Sequence, residues 1–234
     1  MVKKDSLQLL SRIMKLAEDI GIPISTRTYT YGAMVSPLII LARHGQAAYT
    51  NEEDHGGDIV EGTLKQEGKE RIAESAEEII SELNRLRINQ VHLISSPKNR
   101  CIESSDILEK TLTQVEIIVE RSVEPALRDV KVIGPTAGLE GSYQRWEIDM
   151  KDGENWFASW MRKAKEGMQF YPGEESPTEI QSRVSSVLPM YLESTVPTIL
   201  VCHEEIFGAI ATELELAWTR PTYGEVWYLV STRK

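Results

Sequence analysis

Two cysteines, Cys101 and Cys202, are all that the chain carries in 234 residues. They stand far apart without CxxC spacing, which excludes a disulfide framework and leaves reduced thiols as the default. No apolar run approaches the roughly 20 residues that a membrane span needs. Lys15, Glu18 and Asp19 interrupt what would have to be a signal-peptide core. These absences predict a cytoplasmic chain that meets no membrane. Positive charge is scarce as well, with 26 Lys and Arg against 36 Asp and Glu and a formal net charge of -10. That balance excludes a general affinity for nucleic acid, although it leaves room for a locally positive pocket.

What the chain does have is the composition of a globular protein, 41% apolar and 26% charged. Its length is ample for a sizeable core. Residues 5 to 20 carry apolar side chains at helical spacing, closed by Gly21 and Pro23. Packing on the domain surface and a homo-oligomer contact are the two readings of that helix, within an N-terminal helical extension over 1–36. Leu38 to Ala42 is fully apolar, the mark of a strand buried on both faces. Thr63 and Gln66 read as a capping box opening a long helix, and Val91 to Ile94 as a second strand. Ser96 reads as a helix cap with Pro97 at the first position, putting Arg100 within two turns. Val115 to Val119 reads as a third strand, 152 to 168 as an amphipathic helix, and Ser176-Pro177-Thr178-Glu179 as a helix start. A strand from Thr198 to Cys202, a helix from Glu205 to about Leu216 and a strand from Glu225 to Val230 follow. This alternation predicts an α/β fold, a three-layer α/β/α sandwich on a mostly parallel, mixed sheet. Residues 37–234 form the domain, with an inserted cap over about 121–175.

In such sheets reactive groups collect beyond the carboxyl ends of the strands. Arg43 and His44 follow the first buried strand, Arg100 follows the second, and His203 follows Thr198 to Cys202. Two arginines and two histidines converging on one crevice suit a tetrahedral dianion: arginine offers several planar donors, and histidine serves as nucleophile or donor. Neither cysteine has arginine six positions later, where Ile107 and Gly208 stand, so thiolate phosphoryl transfer is excluded. His55 among Glu52, Glu53, Asp54 and Asp58 lacks metal-ligand spacing and reads as a solvated loop. His92 alternates within its strand and reads as structural.

Arg43-His44-Gly45, Ser95-Ser96-Pro97 with Arg100, Pro172-Gly173-Glu174-Glu175-Ser176 and Val201-Cys202-His203 occur in one order across the chain. In this ordered set the chain resembles the histidine phosphatase superfamily, in its phosphoglycerate-mutase-like branch. The resemblance implies that His44 attacks phosphorus and becomes phosphorylated, with Arg43, Arg100 and His203 holding the phosphoryl oxygens. It places the proton-donating acid after a Leu-Arg pair, which gives Asp129 in Leu127-Arg128-Asp129, with Glu140 as the nearby competitor. Gln46, Asn51 and Glu204 are the implied substrate contacts. Asn51 stands one residue later than the family spacing, and Glu204 replaces a usual small residue. The implied activity is a phosphomonoesterase that needs no metal or other cofactor and acts on a phosphorylated small molecule. A mutase and a phosphate-binding module without turnover are the alternatives.

Overall fold

The structure is a computed structural model that describes residues 27–32, 38–48, 63–130, 151, 155–168, 175–216 and 220–232, with backbone alone at 27–32, 48 and 230–232. In chain order its elements are β1 (Arg27–Gly32), β2 (Ile39–Arg43), β3 (Ala47–Ala48), β4 (Thr63–Leu64), α1 (Gln66–Arg85), β5 (Gln90–Ser95) and α2 (Asn99–Gln114). Then come β6 (Ile118–Val123), a 3-10 turn (Pro125–Leu127), α3 (Trp156–Lys165), α4 (Pro177–Leu192), β7 (Thr198–Cys202), α5 (Glu204–Glu213) and β8 (Val226–Thr232).

Six strands form one sheet in the order β1-β8-β2-β7-β5-β6. β2, β7, β5 and β6 run parallel, whereas β8 lies antiparallel to β2 and carries β1 parallel beside it. Side-chain alternation sorts the core into two layers. Ile39, Leu41, Leu200, Cys202, Trp227 and Leu229 face α3, α4 and α5, through residues such as Phe157, Trp160, Ile180, Val184 and Phe207. Ile40, Ala42, Ile199, Val201, Val226 and Tyr228 face α1 and α2, through Ile72, Ile79, Leu83 and Leu108. The expected three-layer α/β/α sandwich is what the chain forms.

Several local expectations shift. Thr63 does not cap α1; it pairs with Ala48 in a two-residue strand, and Lys65 takes the cap position. The third expected strand begins at Ile118 rather than Val115. Ser176 does cap α4, and Glu179 returns the bond to the Ser176 backbone. Within 1–36, expected to be helical, residues 27–32 form an outer strand of the sheet, while the expected helix at 5 to 20 lies outside the described residues. In the stretch expected as a cap, about 121–175, residues 121–123 are the end of sheet strand β6 and α3 belongs to the core, with Trp160 only 1% exposed.

Candidate active site

Register brings three strand ends to one place. Arg43 at the end of β2 sits opposite Cys202 at the end of β7, and the His44 N–H donates to the Cys202 carbonyl at 3.2 Å. Ser95, ending β5, stands opposite Val201, whose carbonyl accepts from the Ser96 N–H at 2.9 Å. His44 and His203 therefore leave adjacent strands side by side, their ring centroids 5.1 Å apart. Arg100, in the first turn of α2, comes between them. Its Nε donates to His44 Nε2 at 3.2 Å, and its Nη2 reaches His203 Nδ1 at 3.3 Å.

Close approach of the next loop to α1 requires two glycines. A Cβ on Gly68 would lie 2.3 Å from the Gln46 carbonyl oxygen, and one on Gly45 would lie 2.5 Å from that of Gly68. The Gly45 N–H is fixed by Ser104 Oγ at 3.1 Å. From the other side β8, being antiparallel, begins where β2 ends. The Glu225 carbonyl accepts from the Arg43 N–H at 3.0 Å, and Gly224 adopts a positive φ of 69°.

The hydrogen bonds assign the ring nitrogens. His44 Nδ1 lies 2.8 Å from the Gly45 carbonyl, so it carries the proton and donates, which leaves a lone pair on Nε2. Burial, then the charges of Arg100, His203 and Arg43, hold His44 well below the ordinary histidine range, so the ring is neutral at physiological pH. His203 Nε2 lies 2.9 Å from Ser96 Oγ, while Nδ1 faces Arg100 and sits 3.6 Å from Asp129 Oδ2. Burial lowers His203 strongly too, against the pull of Asp129. Ser96 is not the expected cap of α2, which starts at Asn99 with Lys98 as its cap. The hydroxyl turns to His203 instead, a role that its place at a strand end could have suggested.

Asp129 pairs with Arg100. Burial opposes its ionisation, but His203, Arg100 and the Val130 N–H together hold the carboxyl well below the usual carboxylate range. On the far wall Glu204 Oε2 lies 2.8 Å from Arg43 Nη2 and 2.9 Å from Arg220 Nε. Burial raises the Glu204 carboxyl, with both arginines pulling the other way. Arg43 also donates to the Pro221 carbonyl and lies 4.2 Å over the Tyr223 ring. Pro221, Tyr223 and Arg220 are site residues that the sequence does not reveal, because nothing local marks a loop before a last strand as part of a distant pocket.

Arg43, His44, Arg100, Asp129 and His203 thus meet, with Glu204 beside them. Gln46 is exposed and joins through its backbone, its carbonyl accepting from the Lys65 N–H at 2.9 Å. Asn51, Glu140 and the His55 loop lie outside the described residues. His92 pairs with Glu120 at 3.1 Å, beside a cavity of about 540 Å³ that is also lined by Thr198 at the start of β7, away from this cluster. Both thiols are buried, and burial pushes Cys101 up to about 12 and Cys202 well above its usual value. Neither is a nucleophile here.

Residues 39–222 match the family profile of the histidine phosphatase superfamily, branch 1. The chain belongs to the histidine phosphatase superfamily. Solved structures share its fold at low identity. A mycobacterial glucosyl-3-phosphoglycerate phosphatase in complex with VO3 is 17% identical, with a TM-score of 0.54 over 82% of this chain and 90% of that one. A phosphoglycerate mutase from Thermus thermophilus is also 17% identical, with a TM-score of 0.54 over 84% of this chain and 95% of its own. A functionally characterised open reading frame of Mycobacterium tuberculosis is 20% identical, with a TM-score of 0.52 over 77% of this chain and 81% of that one. No curated protein matches the sequence. Among the described residues of this histidine phosphatase family member, no helix is long and apolar enough to cross a membrane.

Proposed function

We propose that the protein is a metal-independent phosphomonoesterase that hydrolyses a phosphorylated small molecule through a phosphohistidine on His44. One observation carries this reading: His44 is buried, neutral and proton-bearing at Nδ1, with its Nε2 lone pair turned toward Arg100. A phosphoryl group in that place takes Arg100 and Arg43 as donors, with His203 beside them. The Arg43 Nε is buried without a hydrogen-bond partner among the described residues, which suits a further contact to an oxygen of the dianion.

His44 Nε2 forms the N–P bond as the ester P–O bond breaks. The Gly45 carbonyl keeps the Nδ1 proton and steadies the ring's developing charge. The departing oxygen takes a proton from the Asp129 carboxyl. Asp129 is ionised while it pairs with Arg100. The arriving dianion competes for Arg100 and sets negative charge beside the carboxyl, which raises its proton affinity so that it takes up a proton from solvent before the P–O bond breaks. Water then attacks phosphorus, gives its proton to Asp129 and releases neutral His44 with inorganic phosphate. Glu204, facing Arg43 and Arg220, would take a hydroxyl or cationic part of the substrate. The buried, protonated thiols suit the reducing conditions of the cytoplasm.

The test is turnover of a generic aryl phosphate in the presence of chelator, with trapping of the phosphoenzyme by an alkaline detergent quench, its stability in acid and base compared, and His44→Ala as control. The expected result is turnover without added metal, an acid-labile and base-stable phosphoenzyme, and a loss in His44→Ala of about 10³-fold or more. Turnover that needs a divalent metal, or survives the substitution, overturns the mechanism. Phosphate binding without turnover supports the inactive module, and transfer between two positions of one substrate without phosphate release supports the mutase.

A further inference from the structure

Glu175, near the end of the Pro172 to Ser176 motif, is only 9% exposed. Its carboxylate lies between two arginines. Arg128 donates from Nη1 to Oε2 at 2.9 Å and from Nη2 to Oε1 at 2.8 Å. Arg183, on α4, donates from Nε to Oε1 at 2.8 Å and from Nη2 to Oε2 at 3.2 Å. The same guanidinium groups hold the backbone that presents Asp129. Arg128 Nη1 donates to the Asp129 carbonyl at 3.1 Å, Arg183 Nη2 reaches it at 3.4 Å, and Arg183 Nη1 donates to the Ala126 carbonyl.

From this geometry we infer that Glu175, through Arg128 and Arg183, is the positioning residue that fixes the Asp129 carboxyl over the leaving oxygen. The inference rests on Asp129 being the acid of the proposed phosphatase. The physical case is one of rigidity. The Asp129 side chain is 28% exposed and hangs from a segment that follows a single 3-10 turn, so its own packing holds it loosely. Two bidentate arginine–carboxylate pairs are directional and strong, and they tie that segment to the start of α4, which its own capping box anchors. The buried carboxylate shared by the two arginines also anchors both cations beside it. Without Glu175, the arginines lose their common anchor and the acid loses its fixed distance; a displacement near 1 Å costs up to about 10²-fold in rate.

Leaving groups of different basicity separate positioning of the acid from general support of the fold. An aryl phosphate with an acidic phenol departs without protonation, whereas an alkyl phosphate needs it. Glu175→Gln keeps the shape of the side chain and weakens both pairs. Its kcat/KM, which reports phosphoenzyme formation alone, is expected to fall about 10- to 100-fold for an alkyl phosphate while that for p-nitrophenyl phosphate stays within about 3-fold. Asp129→Asn should show the same split at greater depth, and Arg183→Lys a shallower one. Equal losses on both substrates in Glu175→Gln and Arg183→Lys, or no loss on either, overturn the positioning role. If Asp129→Asn itself shows no split, the acid assignment falls and the inference falls with it, while His44 chemistry stands on its phosphoenzyme.

Discussion

At the scale of single residues, the site is a set of charges held close to neutrality by burial. His44 and His203 are 4% and 2% exposed and both titrate well below the ordinary 6.5, so neither takes up the second, charging proton at neutral pH in the folded state. The unfolded chain binds those protons at about pH 6.5. Below that value the unfolded state holds more protons, so stability declines as pH falls from about 7 toward the depressed folded values. Each histidine contributes up to about 1.4 kcal/mol per pH unit in that window. Urea denaturation between pH 5 and 8 should show the decline in the parent protein and a shallower slope in His44→Ala. An unchanged slope would mean that His44 is protonated in the fold. Arg43, His44, Arg100 and His203 are legible in the sequence because each stands at or just past the end of a buried strand. Tyr223 and Arg220 are not, since their closeness to Arg43 depends on a strand pairing between distant parts of the chain. Glu175 is legible as a motif but not as a function, because its partners Arg128 and Arg183 flank it at distances that no periodicity joins.

At the scale of elements, helix and strand identities follow from apolar periodicity, and their ends follow less well. Leu38 to Ala42 and Ile199 to Cys202 are legible because each is a short, fully apolar run close behind a proline. Thr63 to Gln66 has the pattern of a cap, but the tertiary pairing of Thr63 with Ala48 overrides the local preference. β1 escapes the sequence reading although Thr28, Tyr29, Thr30 and Tyr31 are β-favouring residues in succession. The contact between the loop after His44 and the start of α1 is the tightest element junction near the chemistry. Gly68→Ala would press a methyl group against the Gln46 backbone, 2.3 Å from its carbonyl oxygen. The helix then has to move or the loop has to shift. A loss of about 1–3 kcal/mol in stability is expected, with a fall in kcat because Gly45 and His44 move with the loop. Chemical denaturation and aryl-phosphate kinetics measured together check this; wild-type values in both would show that the junction is pliable.

At the scale of the whole molecule, β1 lies beside β8 and so takes up hydrogen-bonding groups that β8 would otherwise present as a sheet edge. Deleting residues 1–32 should lower the melting temperature by about 3–10 °C and give species larger than the parent in light scattering. Unchanged melting and size would show that the sheet does not need β1. The order of strands also bears on how the protein is made. β2, which delivers Arg43 and His44, is flanked in the sheet by β7 and β8, two of the last segments of the chain. A chain emerging from the ribosome thus displays this largely apolar strand long before either neighbour exists. His44 is translated well before the His203 ring and the Glu225 carbonyl that wall it in. Until those residues emerge the pocket is incomplete, and the bare strand is an apolar, aggregation-prone surface.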